Sequence, residues 1–233
     1  MCNKRTALLS ATALFLAAEI TLSVLLQVSG GRVGIVCSFA AIALACLFCL
    51  LFAERSSAYL FTQLALVCTV CADYFLVLSS PRQQLPAMLF FSVTQLAYAA
   101  RLYIDDASKR RRAWQIGCRI GFSLVALLLT VLVLREKTDA LALVSLFYYA
   151  NLLVNILFAF TQLRGNALMA VGLLLFACCD TLIGLSCLGQ YFPIAEDSLL
   201  YRVINPGFNL AWAFYVPSQA LLALSLLPNR LKR

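Results

Sequence analysis

Three carboxylic acids stand inside otherwise apolar stretches of this sequence: Glu19, Asp73 and Asp180. The last lies in the middle of LLLFACCDTLIGLSCL, residues 173 to 188. An Asp at the centre of a membrane span costs about 2.5 to 3.5 kcal/mol on an insertion scale, so an intramembrane acid is a functional candidate by default. Two buried carboxyls near one another support a definite chemistry. Burial raises a carboxyl pKa, and a neighbouring carboxylate raises one of a pair further, so one member holds a proton while its partner stays ionised. Such a pair can protonate a substrate and then stabilise the resulting cation or deprotonate water.

Polar residues recur around these acids three, four or seven positions apart, the spacing that shares one helix face. Thr12, Glu19 and Ser23 align, as do Thr62, Thr69 and Asp73; Thr94, Gln95, Tyr98 and Arg101; Tyr148, Asn151 and Asn155; and Trp212, Tyr215 and Gln219. Gly172, Asp180 and Gly184 fall at multiples of four, which places the acid on a face of small residues that permits close helix approach. The candidate site is therefore Asp73 and Asp180 as catalytic groups, supported by Glu19, Gln95, Tyr98, Asn151, Asn155, Tyr215 and Gln219. For each amide or hydroxyl the plainer role is an interhelical hydrogen bond, worth only ~0.6 kcal/mol on average.

Membrane helices must position these groups. Of 233 residues, 63% are hydrophobic and 12% charged, half the ~25% charged that is usual for soluble domains. Eight apolar runs reach the roughly 20 residues that cross ~30 Å of hydrocarbon. They cover roughly 6–28, 33–53, 58–78, 84–104, 114–134, 139–162, 167–190 and 207–227. The expected fold is all-α, one integral-membrane domain of eight spans over residues 1–233, with Pro206 and Gly207 marking entry to the last span. Lys4 and Arg5 precede the first run as they would a secretory signal, but its length suits a span better.

Charge sets the expected orientation. With a cytoplasmic N-terminus and alternating spans, thirteen Lys and Arg fall on the cytoplasmic side and five on the other. Arg55, Arg101, Arg119, Arg230, Lys232 and Arg233 are among the thirteen. This positive-inside bias puts both termini in the cytoplasm. The run KRRR at 109–112 is read as topogenic rather than as an anionic-lipid contact, and the net charge of +8 is topological rather than a sign of nucleic-acid binding. The three acids lie on spans running the same way, at depths of about 20, 22 and 20 Å at ~1.5 Å per residue. One level within the bilayer is implied for all three.

Ten cysteines include CLFC at 46–49 and CTVC at 68–71, a formal zinc spacing. In spans of opposite direction Cys49 and Cys71 would lie about 6 and 20 Å from the cytoplasmic end, so these thiols are read as packing residues. The chain has no histidine, which removes the commonest metal ligand and a Ser-His-Asp triad. No metal or cofactor is expected.

The segments QLALVCTVCADYFLVL, FFSVTQLAYAARLY, VGLLLFACCDTLIGL and WAFYVPSQALLALSL resemble successive motifs of the YhhN-type lysoplasmalogenase family of integral membrane proteins. That family has eight spans. Its Gly-Asp pair is matched by Ala72 and Asp73, its Gly-x-x-x-Phe run ending in Ser-Asp by Gly172, Phe176, Cys179 and Asp180, and its Tyr and Gln four apart by Tyr215 and Gln219. The resemblance implies hydrolysis of the vinyl ether bond of an alkenyl lysophospholipid to a fatty aldehyde and a glycerophospho-alcohol. The chain would then be a multi-pass protein of a plasma or bacterial inner membrane whose partner is membrane lipid. Gln95 stands where the family usually has histidine, and glutamine cannot titrate. The alternatives are a catalytically altered or inactive lipid-binding protein and a proton-coupled transporter, the latter without the internal repeat usual in transporters.

Overall fold

The computed structural model describes residues 2–53, 56–192, 194–205 and 208–227, with side chains from residue 5 onward. Arg55, Arg230, Lys232, Arg233 and the Lys4 side chain, all cytoplasmic in the expected topology, lie outside the described residues, as do Pro206 and Gly207. The helices are α1 (Cys2–Val28), α2 (Gly31–Phe52), α3 (Ser57–Asp73), α4 (Gln84–Asp105), α5 (Lys109–Leu134), α6 (Ala140–Thr161), α7 (Leu163–Cys187), α8 (Leu199–Ile204) and α9 (Leu210–Leu224). A π-helical turn, Tyr74–Leu78, continues α3. There is no strand among the described residues.

Side-chain caps mark where helices begin. Ser56, Ser108 and Asp139 each accept a bond from a backbone N–H in the first turn of α3, α5 and α6, groups that have no partner within the helix. Gly31, with φ of 63°, turns the chain from α1 into α2 in a conformation that L side chains resist. Among the described residues, seven helices are long and apolar enough to cross a membrane. The expected eighth span is shorter, since α9 has 15 residues, about 22 Å at ~1.5 Å per residue. Its start is fixed at Asn209, whose side chain accepts from Trp212 N–H and whose own N–H donates to Gln27 Oε1 at 3.0 Å. The short α8, not expected from the sequence, lies just before it.

Neighbouring helices close a ring in the order α2, α3, α4, α6, α7, α9 and back to α2. Outside it, α1 packs on α2 and α9, and α5 on α6. Leu66, Tyr98, Leu152, Phe176 and Leu222 are fully buried within the core. On α5 only Gln115 and Thr130 are buried, leaving most of its apolar surface for lipid. Helices α7 and α9 approach closely at Gly172: a Cβ there would lie 3.0 Å from Leu222 Cγ and 3.2 Å from Ser218 O. Gly184 has open space instead, so the expected small-residue face is a helix contact at Gly172 and not at Gly184.

Half of the KRRR run has a local task. Arg111 Nε donates to both Asp106 oxygens at 3.0 Å, and Arg112 Nε donates to Asp106 O at 2.7 Å. Gln115 and Gln162 also donate to Asp106 Oδ2. One buried carboxylate thus ties the end of α4 to α5 and to the α6–α7 junction. Burial alone pushes this carboxyl up, but the Ser108 N–H and the Arg111 guanidinium outweigh it and hold it below the usual carboxylate range.

Candidate functional site

Asp73 is the last residue of α3, at the point where the helix widens. The Ser79 N–H reaches back five residues to Tyr74 O at 2.9 Å, a π-type bond of the sort often found at functional sites. Asp73 is 2% exposed and accepts a bond of 2.8 Å from the Tyr215 hydroxyl of α9. Across the ring Asp180 of α7 accepts from the Tyr148 hydroxyl of α6. The two carboxyls lie close enough for their charges to interact, and Tyr215 is within electrostatic reach of both. Asp180 keeps part of its surface exposed whereas Asp73 is sealed.

Aromatic rings join the two pairs. Phe176, four residues before Asp180, lies 5.3 Å from the Tyr215 ring and 5.8 Å from Phe91, and Phe91 stacks on Tyr148 at 5.6 Å. Asp73 and Asp180 stand about 25 Å from the starts of α3 and α7 at ~1.5 Å per residue, while their tyrosines stand near the starts of the antiparallel α9 and α6. Both acids therefore face the ring interior at one level. Tyr148 shares the polar stripe of its helix but is not among the expected site residues. Its spacing, three residues before Asn151 and seven before Asn155, is the only trace of its role in the sequence.

The other expected residues divide. Asn155 Nδ2 donates to Gln95 Oε1 at 2.9 Å and to Gln95 O at 2.8 Å, while its Oδ1 accepts from Arg119 Nη2 at 2.8 Å. Gln219, one turn beyond Tyr215, is fully buried with both amide atoms unpartnered among the described residues, as are Gln95 Nε2 and the Tyr98 hydroxyl. Asn151 turns toward α5 and bonds Ser123 Oγ at 3.2 Å, away from the carboxylates. Glu19 is buried on α1, which packs on the ring from outside, and its oxygens have no hydrogen-bond partner among the described residues. Depth along the helix puts it level with the other acids, but the direction of its face keeps it out of their cluster.

Arg101, counted among the cytoplasmic-side charges and also on the polar stripe of α4, faces the interior of the bundle. It is 1% exposed. Its Nη1 donates to Thr62 Oγ1 at 3.1 Å and Ser225 Oγ at 2.8 Å, its Nη2 donates to Asn166 Oδ1 at 3.0 Å, and its Nε lies 3.6 Å from Asp105. The non-helical backbone of Asn166, φ −126° and ψ 23°, sits at this contact. Side chains of α3, α4 and α7, and Ser225 at the end of α9, meet on one guanidinium. All four thiols of the CLFC and CTVC motifs are free, and Cys46, Cys49 and Cys68 are buried. Among the described residues no group of three or more His, Cys, Asp or Glu side chains is arranged to hold a metal ion.

A family model described as the YhhN family matches residues 33–226, which run from the first turn of α2 through α9 and include both carboxylate–tyrosine pairs. No curated protein and no solved structure matches the chain.

Proposed function

The chain belongs to the YhhN family, and from that premise we propose that it is a lysoplasmalogenase-like hydrolase of alkenyl lysophospholipids. The observation that carries this reading is the pair of carboxyls, Asp73 and Asp180, delivered by two helices to one level and each held by a tyrosine hydroxyl. One carboxyl gives its proton to the β-carbon of the vinyl ether, leaving an oxocarbenium ion. Water adds to the cationic carbon and passes a proton to the other carboxylate. The hemiacetal then gives its hydroxyl proton to the first carboxylate while the second, now protonated, gives its proton to the glycerol oxygen as the C–O bond breaks. Aldehyde and glycerophospho-alcohol are released and both carboxyls are restored. The buried Gln219 amide and Gln95 Nε2 are available to hold the water or a glycerol oxygen, and the rings of Phe91 and Phe176 stand between the two carboxyl–tyrosine pairs.

Asp73→Asn and Asp180→Asn in purified protein test the assignment, with aldehyde release measured on a defined alkenyl lysophospholipid. Each loses at least ~100-fold in rate, the lower end for a general acid or base. Full activity in both variants would remove the proposal. A second reading, lipid binding without turnover, is favoured by one observation: Gln95 stands at the family's histidine position, its Oε1 held by Asn155 and its Nε2 left as a donor that cannot titrate. Mass-spectrometric detection of aldehyde from the unaltered protein separates the two.

A further inference from the structure

Arg119 stands ten residues beyond Lys109 in α5, about 15 Å from the start of that helix at ~1.5 Å per residue. Two rungs fix the register of α5 on α6: Asn151 Nδ2 donates to Ser123 Oγ at 3.2 Å, and Arg119 Nη2 donates to Asn155 Oδ1 at 2.8 Å. Arg119 is one turn before Ser123, and Asn155 one turn after Asn151. The guanidinium therefore reaches across to α6 at its own level instead of bending toward the helix end. A cation so placed is costly unless it is paired. Arg101 has Asp105 at 3.6 Å, and Arg111 has Asp106 at 3.0 Å. Arg119 has no carboxylate within ion-pair distance among the described residues, and its Nη1 is buried without a hydrogen-bond partner. Such a group is suited to an anion brought by a ligand.

A second donor stands at the same level. Asn155 Nδ2 bonds both oxygens of Gln95, which leaves the fully buried Gln95 Nε2 unpartnered among the described residues. The carboxyls lie further along the same axis. Tyr148, the donor to Asp180, is seven residues from Asn155 on one helix face, about 10 Å away. Thr94, beside Gln95, meets Thr69 at 3.4 Å, and Thr69 is one turn, about 6 Å, from Asp73. In an alkenyl lysophospholipid the phosphorus is seven covalent bonds from the carbon that takes the proton, a span that fits this interval. Arg101 is the rival cation, and its Nε also lacks a hydrogen-bond partner. It already has Asp105 beside it, however, and it stands six residues beyond Gln95, about 9 Å further from the acids.

We propose that Arg119 receives the phosphate of the glycerophospho headgroup, with Gln95 Nε2 as a second donor to the same head. A phosphodiester brings one negative charge and oxygens that a guanidinium meets with paired N–H groups. The identity of the lipid rests on the reaction proposed above, whereas the recognition of an anion rests on Arg119 itself.

Arg119→Gln removes the charge while keeping an amide donor for Asn155, and Arg119→Lys keeps the charge without the planar guanidinium. Three probes are titrated calorimetrically against protein in nanodiscs: a saturated 1-alkyl lysophosphocholine, which has no vinyl ether; 1-alkylglycerol, which lacks the phosphate; and glycerophosphocholine, which lacks the chain. The unaltered protein should bind the lysophosphocholine more tightly than either of the others. Arg119→Gln should weaken that binding about tenfold or more, as expected for one hydrogen bond to a charged group, and leave 1-alkylglycerol unchanged, while Arg119→Lys retains most of the affinity. Unchanged lysophosphocholine binding in Arg119→Gln, or equal weakening of both lipids, overturns the inference. So does equal binding of the two lipids, or of glycerophosphocholine and the lysolipid, by the unaltered protein, a comparison that needs no variant to fold. None of the probes can release aldehyde, so the reaction is decided separately, by aldehyde release from the unaltered protein.

Discussion

Inside a helix the backbone N–H groups are already bonded, so a carboxylate in the hydrocarbon region finds donors only in side chains. Tyr215 and Tyr148 supply them to Asp73 and Asp180. Tyr215→Phe and Tyr148→Phe each remove one bond to a carboxyl, worth about 1.5 to 3 kcal/mol in the state where that carboxyl is ionised. The expected loss in kcat is therefore tenfold or more with KM little changed, and a change confined to KM would refute the role. Arg101 has a structural task. Arg101→Ala removes the donor shared by Thr62, Ser225 and Asn166 and lowers stability by about 3 kcal/mol, seen as an earlier melting transition in detergent; an unchanged transition would contradict the clamp. Asp73, Asp180 and Tyr215 are legible in the sequence because polar groups among apolar ones stand out. Tyr148 is not, since a tyrosine in a membrane helix reads equally well as packing.

At the scale of elements, hydropathy locates the long helices well: the expected spans 84–104 and 139–162 correspond to Gln84–Asp105 and Ala140–Thr161. It misses the π turn after Asp73, which depends on backbone geometry rather than apolarity, and α8, which is too short to show a period. The α7–α9 seam gives a direct test. Gly172→Val places methyl groups where Leu222 and Ser218 already sit, an overpacking of about 1 to 3 kcal/mol, and displaces Tyr215 from Asp73. Reduced melting temperature and reduced aldehyde release should occur together. The Asp106 hub adds a pH dependence. Its folded pKa lies below the unfolded value of about 3.9, so its contribution is present above that pH and is lost as pH falls through the folded pKa. Melting in detergent should drop below about pH 4, and Asp106→Asn should flatten that limb; an identical acid limb in the variant would exclude Asp106 as its source.

Over the whole molecule, the ring explains why depth alone misjudges Glu19. Level is set by distance along a helix, but membership of a site is set by which face meets which neighbour, and α1 meets the ring from outside. The charge argument needs a similar adjustment, because Arg101 is buried and Arg119 bonds Asn155. Without them the basic residues still divide eleven to five, a bias toward the same orientation. The two acids sit on separate helices, α3 and α7, whose positions the α7–α9 seam and the Arg101 clamp hold fixed. A flat double bond lying between them can be approached by the acid from only one of its faces. For the proposed reaction run in heavy water, the fatty aldehyde should carry a single deuterium at C2 with one handedness.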